Sequence, residues 1–246
     1  MAIKSLWRVN RFFRLLFREY LKKIPVFYYD LFYEMPTIQQ SDIINPENII
    51  KTEEMILEDC YLSPYRGKDE HDDFTFIHSL VNQNRPKIIV ELGTALGNTT
   101  ANICKQLPES KVYTVCALPD QISGDHITDA FTKEQIGRVY REYGYEEQVT
   151  QIYTDTIDMD LSENNIKKES VDFAIIDACH DENYVYNDFY KVLPYVKKGG
   201  ILLFHDTHTK IERHFWTSYL ACLRIIKDGY KIKHVKGTWY GYLKKA

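Results

Sequence analysis

Cysteine is scarce in this chain and follows no pattern. The five cysteines, Cys60, Cys104, Cys116, Cys179 and Cys222, are odd in number and never fall at a C-x-x-C spacing. That speaks against a disulfide framework and a zinc knuckle, and for a reducing, cytoplasmic compartment. Long apolar runs are also missing near the start, because arginines and lysines interrupt every hydrophobic stretch of residues 1–24. Those residues therefore read neither as a membrane span nor as the apolar centre of a secretory signal. A targeting leader would be rich in serine, and only Ser5 is there. No excess of basic charge exists either: the formal net charge is −4, and seven basic residues fall in 1–23 against one acid. An acidic body behind a basic arm is not expected to bind nucleic acid, which needs positive charge around its cleft. Repeats and low-complexity tracts are absent.

What is present fits one α/β domain with an appendage: 246 residues, of which 44% are hydrophobic. Residues 1–36 read as a basic, aromatic helical arm. Within it Leu6, Val9, Phe13, Leu16, Phe17, Tyr20, Leu21 and Ile24 form an apolar stripe opposite Lys4, Arg8, Arg11, Arg18 and Lys22. Such a helix suits the inner membrane surface as a peripheral contact, or packing in a homo-oligomer. Residues 37–86 read as a helical lead-in and lid: a loop over 37–50, a polar helix from Pro46 to about Asp59, a turn at Ser63–Gly67 and a helix over 70–84. Residues 87–246 alternate apolar runs with helical segments. Strands are expected at 87–92, 112–116, 149–154, 171–177 and 201–205, and helices at 98–107, 132–143, 183–196 and 210–228. A hairpin at 231–235 and 238–243 closes the chain. Near-continuous apolar strands between helices predict a doubly wound, Rossmann-like, mostly parallel sheet of seven strands with a closing antiparallel hairpin.

Residues 88–100, IIVELGTALGNTT, are the strongest local signal. A strand ends at Glu91, breaks at Gly93 and Gly97, and resumes as a helix opened by Asn98, Thr99 and Thr100. Glycines allow a sharp turn and close approach of a ligand, and the helix start points free N–H groups at it. A bulky residue at Gly93 is accordingly expected to block the ligand without harming the fold. By itself G-x-x-x-G is often only a tight turn. Downstream, however, lie VDFAIIDACHD (171–181) and KKGGILLFHDTH (197–208). In a doubly wound sheet, strand-end acids such as Glu91, Asp155, Asp177 and Asp206 converge on one crevice.

These motifs resemble the class I S-adenosylmethionine-dependent methyltransferases over roughly residues 70–245. The closer likeness is to the branch with macrocin-type sugar O-methyltransferases and cephalosporin-hydroxylase-like proteins. Asp177, His180, Asp188, Gly199, Gly200, His205 and Asp206 fall in register with that branch. The resemblance implies that Glu91, Gly93, Thr94, Gly97, Asn98 and Thr99 hold the methionine and ribose of the cofactor, with Asp155 near the adenine. Cys116 stands where the family usually has a ribose-binding acid, and cysteine is a poor acceptor; Asp120 could reach back instead. Asp177, His205 and Asp206 are the candidate ligands for Mg²⁺ or another hard divalent cation. Such a cation would act as template and Lewis acid for a substrate hydroxyl. Asp177 and His180 are the catalytic candidates, His180 as general base. His208 completes a local H-x-x-H.

The expected activity is O-methylation of a hydroxyl on a sugar, polysaccharide or natural product. A second reading is a degenerate methyltransferase fold serving as a scaffold at a membrane surface, which Cys116 favours and the retained glycines and acids oppose. A nicotinamide-dependent oxidoreductase is disfavoured by the glycine spacing and by the missing acid after the second strand.

Overall fold

The computed structural model describes residues 34–57, 69–122, 131–207 and 216–246. Its centre is a single eight-stranded sheet in the order β4-β3-β2-β5-β6-β8-β7-β1. The strands are β1 Thr37–Ile38, β2 Ile88–Leu92, β3 Lys111–Cys116, β4 Val149–Tyr153, β5 Val171–Ile176, β6 Val196–Phe204, β7 Lys233–Val235 and β8 Gly241–Lys244. Strands β2 to β6 pair in parallel, and β8 runs antiparallel to both β6 and β7. The expected mostly parallel sheet and closing hairpin are therefore present. The eighth strand is β1, two residues of the segment read as a loop, which pair in parallel with His234 and Val235.

Helices α1 Asp69–Asn84, α2 Asn98–Gln106, α3 Arg138–Glu142, α4 Glu182–Val192 and α5 Trp216–Lys227 accompany the sheet. Successive strand side chains point to opposite faces, so each buried strand feeds two cores. Val90, Leu92, Ala174, Ile176, Leu202 and Phe204 pack with Phe189 of α4 and Leu223 of α5. Ile89, Phe173, Ile175 and Leu203 pack on the other face with Phe76 of α1 and Ile103 of α2. Because both faces are covered, the strands lack the polar alternation of a half-exposed sheet.

Two expected helices are shorter or absent. From Pro46 the chain makes two 3-10 turns, Pro46–Asn48 and Thr52–Glu54, in place of one helix to about Asp59. The lead-in's backbone is bound by α1 instead: Asn45 N–H donates to Gln83 Oε1 at 2.6 Å, Ile50 N–H to Ser79 Oγ at 2.8 Å, and Gln83 Nε2 to Ile43 O at 2.6 Å. Residues expected to be helical from 132 form turns until α3 begins after Gly137, whose φ is +69°. Here the donors of Gly137 and Val139 go to Ala95 O and Leu96 O, both at 2.9 Å, which ties this segment to the glycine loop. The arm over 1–33, the Ser63–Gly67 turn, Cys60 and His208 lie outside the described residues.

Candidate active site

The strand order reverses at β2: the chain leaves it through α2 to β3 on one side, and β5 lies on the other. The ends of β2 and β5 therefore open on the crevice where such sheets bind ligands. Glu91 lies on the α2 face beneath the glycine loop, 2% exposed. Its Oε2 accepts from the Thr100 hydroxyl and, at 2.6 Å, from the hydroxyl of its cross-strand partner Thr114. The network continues as Thr94 Oγ1 donates to Thr114 Oγ1 at 2.7 Å and Gln151 Nε2 donates to Thr94 Oγ1 at 2.9 Å. Burial pushes Glu91 up from 4.5 to about 7, although both hydroxyls favour its charged form. Glu91 thus fastens the loop to β3 and α2, a role that its place in the motif did not reveal.

Gly93 has φ at +102°. A Cβ there would lie 2.0 Å from the carbonyl oxygen of Asp177, so the backbone after β5 by itself already excludes a side chain. Gly97, φ +88°, would meet Gly137 Cα at 2.9 Å and Tyr140 Cδ1 at 3.0 Å. Thr94 is buried in the network, whereas Asn98 and Thr99 are half-buried at the rim. The start of α2 has no side-chain cap, which leaves its first N–H groups for a ligand, and the buried Asn98 Oδ1 has no partner. An uncapped helix start beside an orphaned amide oxygen fits the amino-acid end of S-adenosylmethionine.

Cys116, half-buried at the end of β3, faces the same loop. Burial raises its thiol above the usual range, against the backbone N–H groups of Ala95 and Thr94 directed at the sulfur. Asp120 is exposed. Asp155, after β4, is already bonded: Ile157 N–H donates to Oδ1 at 3.0 Å and the Tyr184 hydroxyl to Oδ2 at 3.1 Å. Asp188 sits fully buried on α4, and burial lifts it to about 7 against the opposing pull of Thr156 and Asn187.

The acids and histidines after β5 and β6 come together. Asp206, 2% exposed and held at φ +56°, lies 2.8 Å through Oδ2 from His180 Nε2. Asp177 Oδ1 is 3.7 Å from the same nitrogen. Ligand atoms of Asp177, His180 and Asp206 all lie within 4.8 Å of one another. His205 approaches from the other side, with Nδ1 3.1 Å from Asp177 Oδ1 and 3.3 Å from Asp206 Oδ1. Both are ion-pair contacts, and among the described residues His205 Nδ1 and Asp206 Oδ1 have no better-aligned hydrogen-bond partner. Orphaned lone pairs among carboxylates fit a divalent cation, with His180 as the histidine nearest both acids.

Charge coupling here is strong. Burial alone would depress His180, but its bonds to Asp177 and Asp206 and their charges outweigh burial and lift it to about 9. His205 is raised well above the usual range in the same way, against its burial, by Asp177 and Asp206. Burial opposes ionisation of Asp206 and Asp177 too, yet the two imidazoliums hold both carboxyls below the ordinary carboxylate range.

Two contributors are outside the sequence motifs. Asp73 of α1, 7% exposed, has Oδ2 3.6 Å from His205 Nε2, and its Oδ1 accepts the Trp239 N–H at 2.7 Å. The rings of Tyr240 and Trp239, from the β7–β8 hairpin, stand 4.8 and 5.9 Å from that of His205. No spacing in the sequence joins position 73 to position 205. The acid-rich run DEHDD at the head of α1 is the only hint.

Comparison with known proteins agrees with this architecture. Residues 90–207 match a family model described as a methyltransferase domain. The O-methyltransferase TomG of Streptomyces achromogenes, solved with S-adenosylmethionine, superposes with a TM-score of 0.52 at 12% identity, covering 91% of this chain and 96% of that one. The methyltransferase PaMTH1 of Podospora anserina, solved with S-adenosylhomocysteine, gives 0.51 at 13% identity over 70% of this chain and 79% of that one. An uncharacterised protein of Sinorhizobium fredii, y4gI, is 26% identical over 162 residues, 64% of this chain but 17% of its own length. This chain thus spans a small part of that relative. With a switch-point glycine loop, this strand order and a methyltransferase-domain match over residues 90–207, the chain has the fold of the class I S-adenosylmethionine-dependent methyltransferases.

Proposed function

We propose that the protein methylates a hydroxyl of a sugar, polysaccharide or natural product, assisted by a divalent cation. The observation that carries this reading is the cluster of Asp177, His180 and Asp206 within 4.8 Å, one backbone contact away from the glycine loop. Gly93, Thr94, Gly97, Asn98 and Thr99 would line the cofactor's amino-acid end, Cys116 its ribose and Asp155 its adenine. S-Adenosylmethionine supplies an electrophilic methyl group, and a divalent cation supplies positive charge that neutralises the carboxylates. Asp177 and Asp206 are placed to hold that cation. His180 is placed to take the acceptor's proton at Nε2. In the chain without ligands, the two carboxylates keep that nitrogen protonated at neutral pH, because it titrates near about 9. Positive charge on the carboxylates would lower that value and free Nε2 as a base.

The test is production of S-adenosylhomocysteine from S-adenosylmethionine with a panel of glycosides and phenols, in Mg²⁺ and in EDTA. Turnover with a glycoside, suppressed by EDTA and by Asp206→Asn, is the expected result. Full turnover in EDTA would refute the cation, and His180→Ala with unchanged rate would refute the base. The scaffold reading is favoured by Cys116 alone, and S-adenosylhomocysteine binding measured by calorimetry separates the two. Among the described residues no helix is long and apolar enough to cross a membrane. The proposed role of residues 1–36 is peripheral membrane contact or self-association, with 37–86 as lead-in to the catalytic domain at 87–246.

A further inference from the structure

Asp73 precedes the stretch matched to the methyltransferase family, yet it reaches the acid–histidine cluster. Its Oδ1 is occupied by the Trp239 N–H at 2.7 Å, which fixes the carboxylate and leaves Oδ2 toward His205 Nε2 at 3.6 Å. The two nitrogens of an imidazole point in fixed, divergent directions, so an anchor on one decides where the other points. In His205 the other nitrogen, Nδ1, faces Asp177 and Asp206 at 3.1 and 3.3 Å. The flanking rings of Tyr240 and Trp239 restrict the imidazole further.

We propose that Asp73 is a positioning residue of the methyl-transfer site. It holds His205 by Nε2, keeps Nδ1 on Asp177 and Asp206, and thereby sets the two carboxylates beside His180. The catalytic unit then extends to α1, with the His205 ring oriented behind the acids. This rests on reading the cluster as the methyl-transfer centre. The competing role for Asp73 is structural: a bond from α1 to the β7–β8 hairpin through the Trp239 N–H.

Asp73→Asn separates these roles, because an amide oxygen still accepts from Trp239 while the charge facing His205 is lost. The full chain, its Asp73→Asn, Asp73→Ala and Asp73→Glu variants and a His205→Gln control for assignment would be compared without ligand by NMR of the histidine rings. Asp73→Asn should keep the thermal midpoint but change the His205 ring resonances and their cross-relaxation with Tyr240, and Asp73→Glu should restore part of both. In the methyl-transfer assay the same variant should lose about ten-fold in kcat with KM for S-adenosylmethionine unchanged, the size of effect seen when a histidine's orienting partner is removed. Unchanged His205 signals in Asp73→Asn would overturn the proposal, as would a loss of stability alone in Asp73→Ala. Failure of the wild-type chain to bind S-adenosylhomocysteine would instead sink the methyltransferase reading. The ring measurement needs no ligand and would still decide the role of Asp73.

Discussion

Replacing Glu91 by glutamine should make the protein's stability less dependent on pH, in a direction opposite to ordinary acid denaturation. Glu91 is 2% exposed, and burial lifts its carboxyl from 4.5 to about 7 in the folded chain. The folded state therefore keeps this proton in a range where the unfolded chain has lost it. Stability from this group is fully present below 4.5 and disappears as pH rises through about 7. Linkage between those two values gives about 2.5 kcal/mol lost between about pH 5 and about pH 8. A glutamine carbonyl can accept both threonine hydroxyls and carries no charge, so the variant lacks this loss. Urea unfolding of both chains at the two pH values isolates the effect, since Asp188 and His180 titrate equally in each. Relative to wild type, Glu91→Gln should gain about 2.5 kcal/mol on going from the lower to the higher pH, with unchanged m-values. The same difference at both pH values would show that Glu91 is not held neutral by burial.

Other expectations concern the crevice and the arm. Gly93→Ala should lower thermal stability and not only ligand affinity, because its Cβ would strike the Asp177 carbonyl at 2.0 Å in a backbone already at φ +102°; a variant as stable as wild type would contradict the close approach. Cys116→Asp should tighten S-adenosylhomocysteine binding by about ten- to a hundred-fold in calorimetry, the worth of a hydrogen bond to a charged acceptor. Unchanged affinity would remove the ribose from that position. A chain starting at Thr37 should lose binding to anionic vesicles if the arm contacts lipid. If instead the full chain never binds vesicles and truncation turns a dimer into a monomer, the arm is an assembly element.

The sheet was legible because its strands are apolar runs ending in acids and glycines, and that pattern fixes both the parallel layout and the crevice. The lead-in was not. Its polar sequence has helical composition, but Ser79 and Gln83 of α1 capture its backbone, a tertiary competition that no local window contains. For Glu91 the motif indicated its place but not its work. Its function follows from a register that puts Thr114 directly across on β3. The acids and histidines of the cluster could be named from their strand ends. Only the folded chain brings His180 nearer to Asp206 than to Asp177 and backs His205 with an acid more than a hundred residues upstream.

The abutment of Gly93 against the Asp177 carbonyl bears on how this protein could be re-engineered. Leu92 O also accepts the Asp177 N–H at 2.8 Å, so the segments after β2 and β5 are joined main chain to main chain. No rotamer change can absorb a mismatch there. A chimera that imported a donor's turn at 93–97 while keeping the native stretch from Asp177 to His180 would inherit a seam between two independently shaped backbones. Grafts should therefore move the two turns as a pair, and libraries aimed at a new acceptor are better placed on the Trp239 side chain, which can vary without reopening that seam while its backbone stays bonded to Asp73 and Thr207.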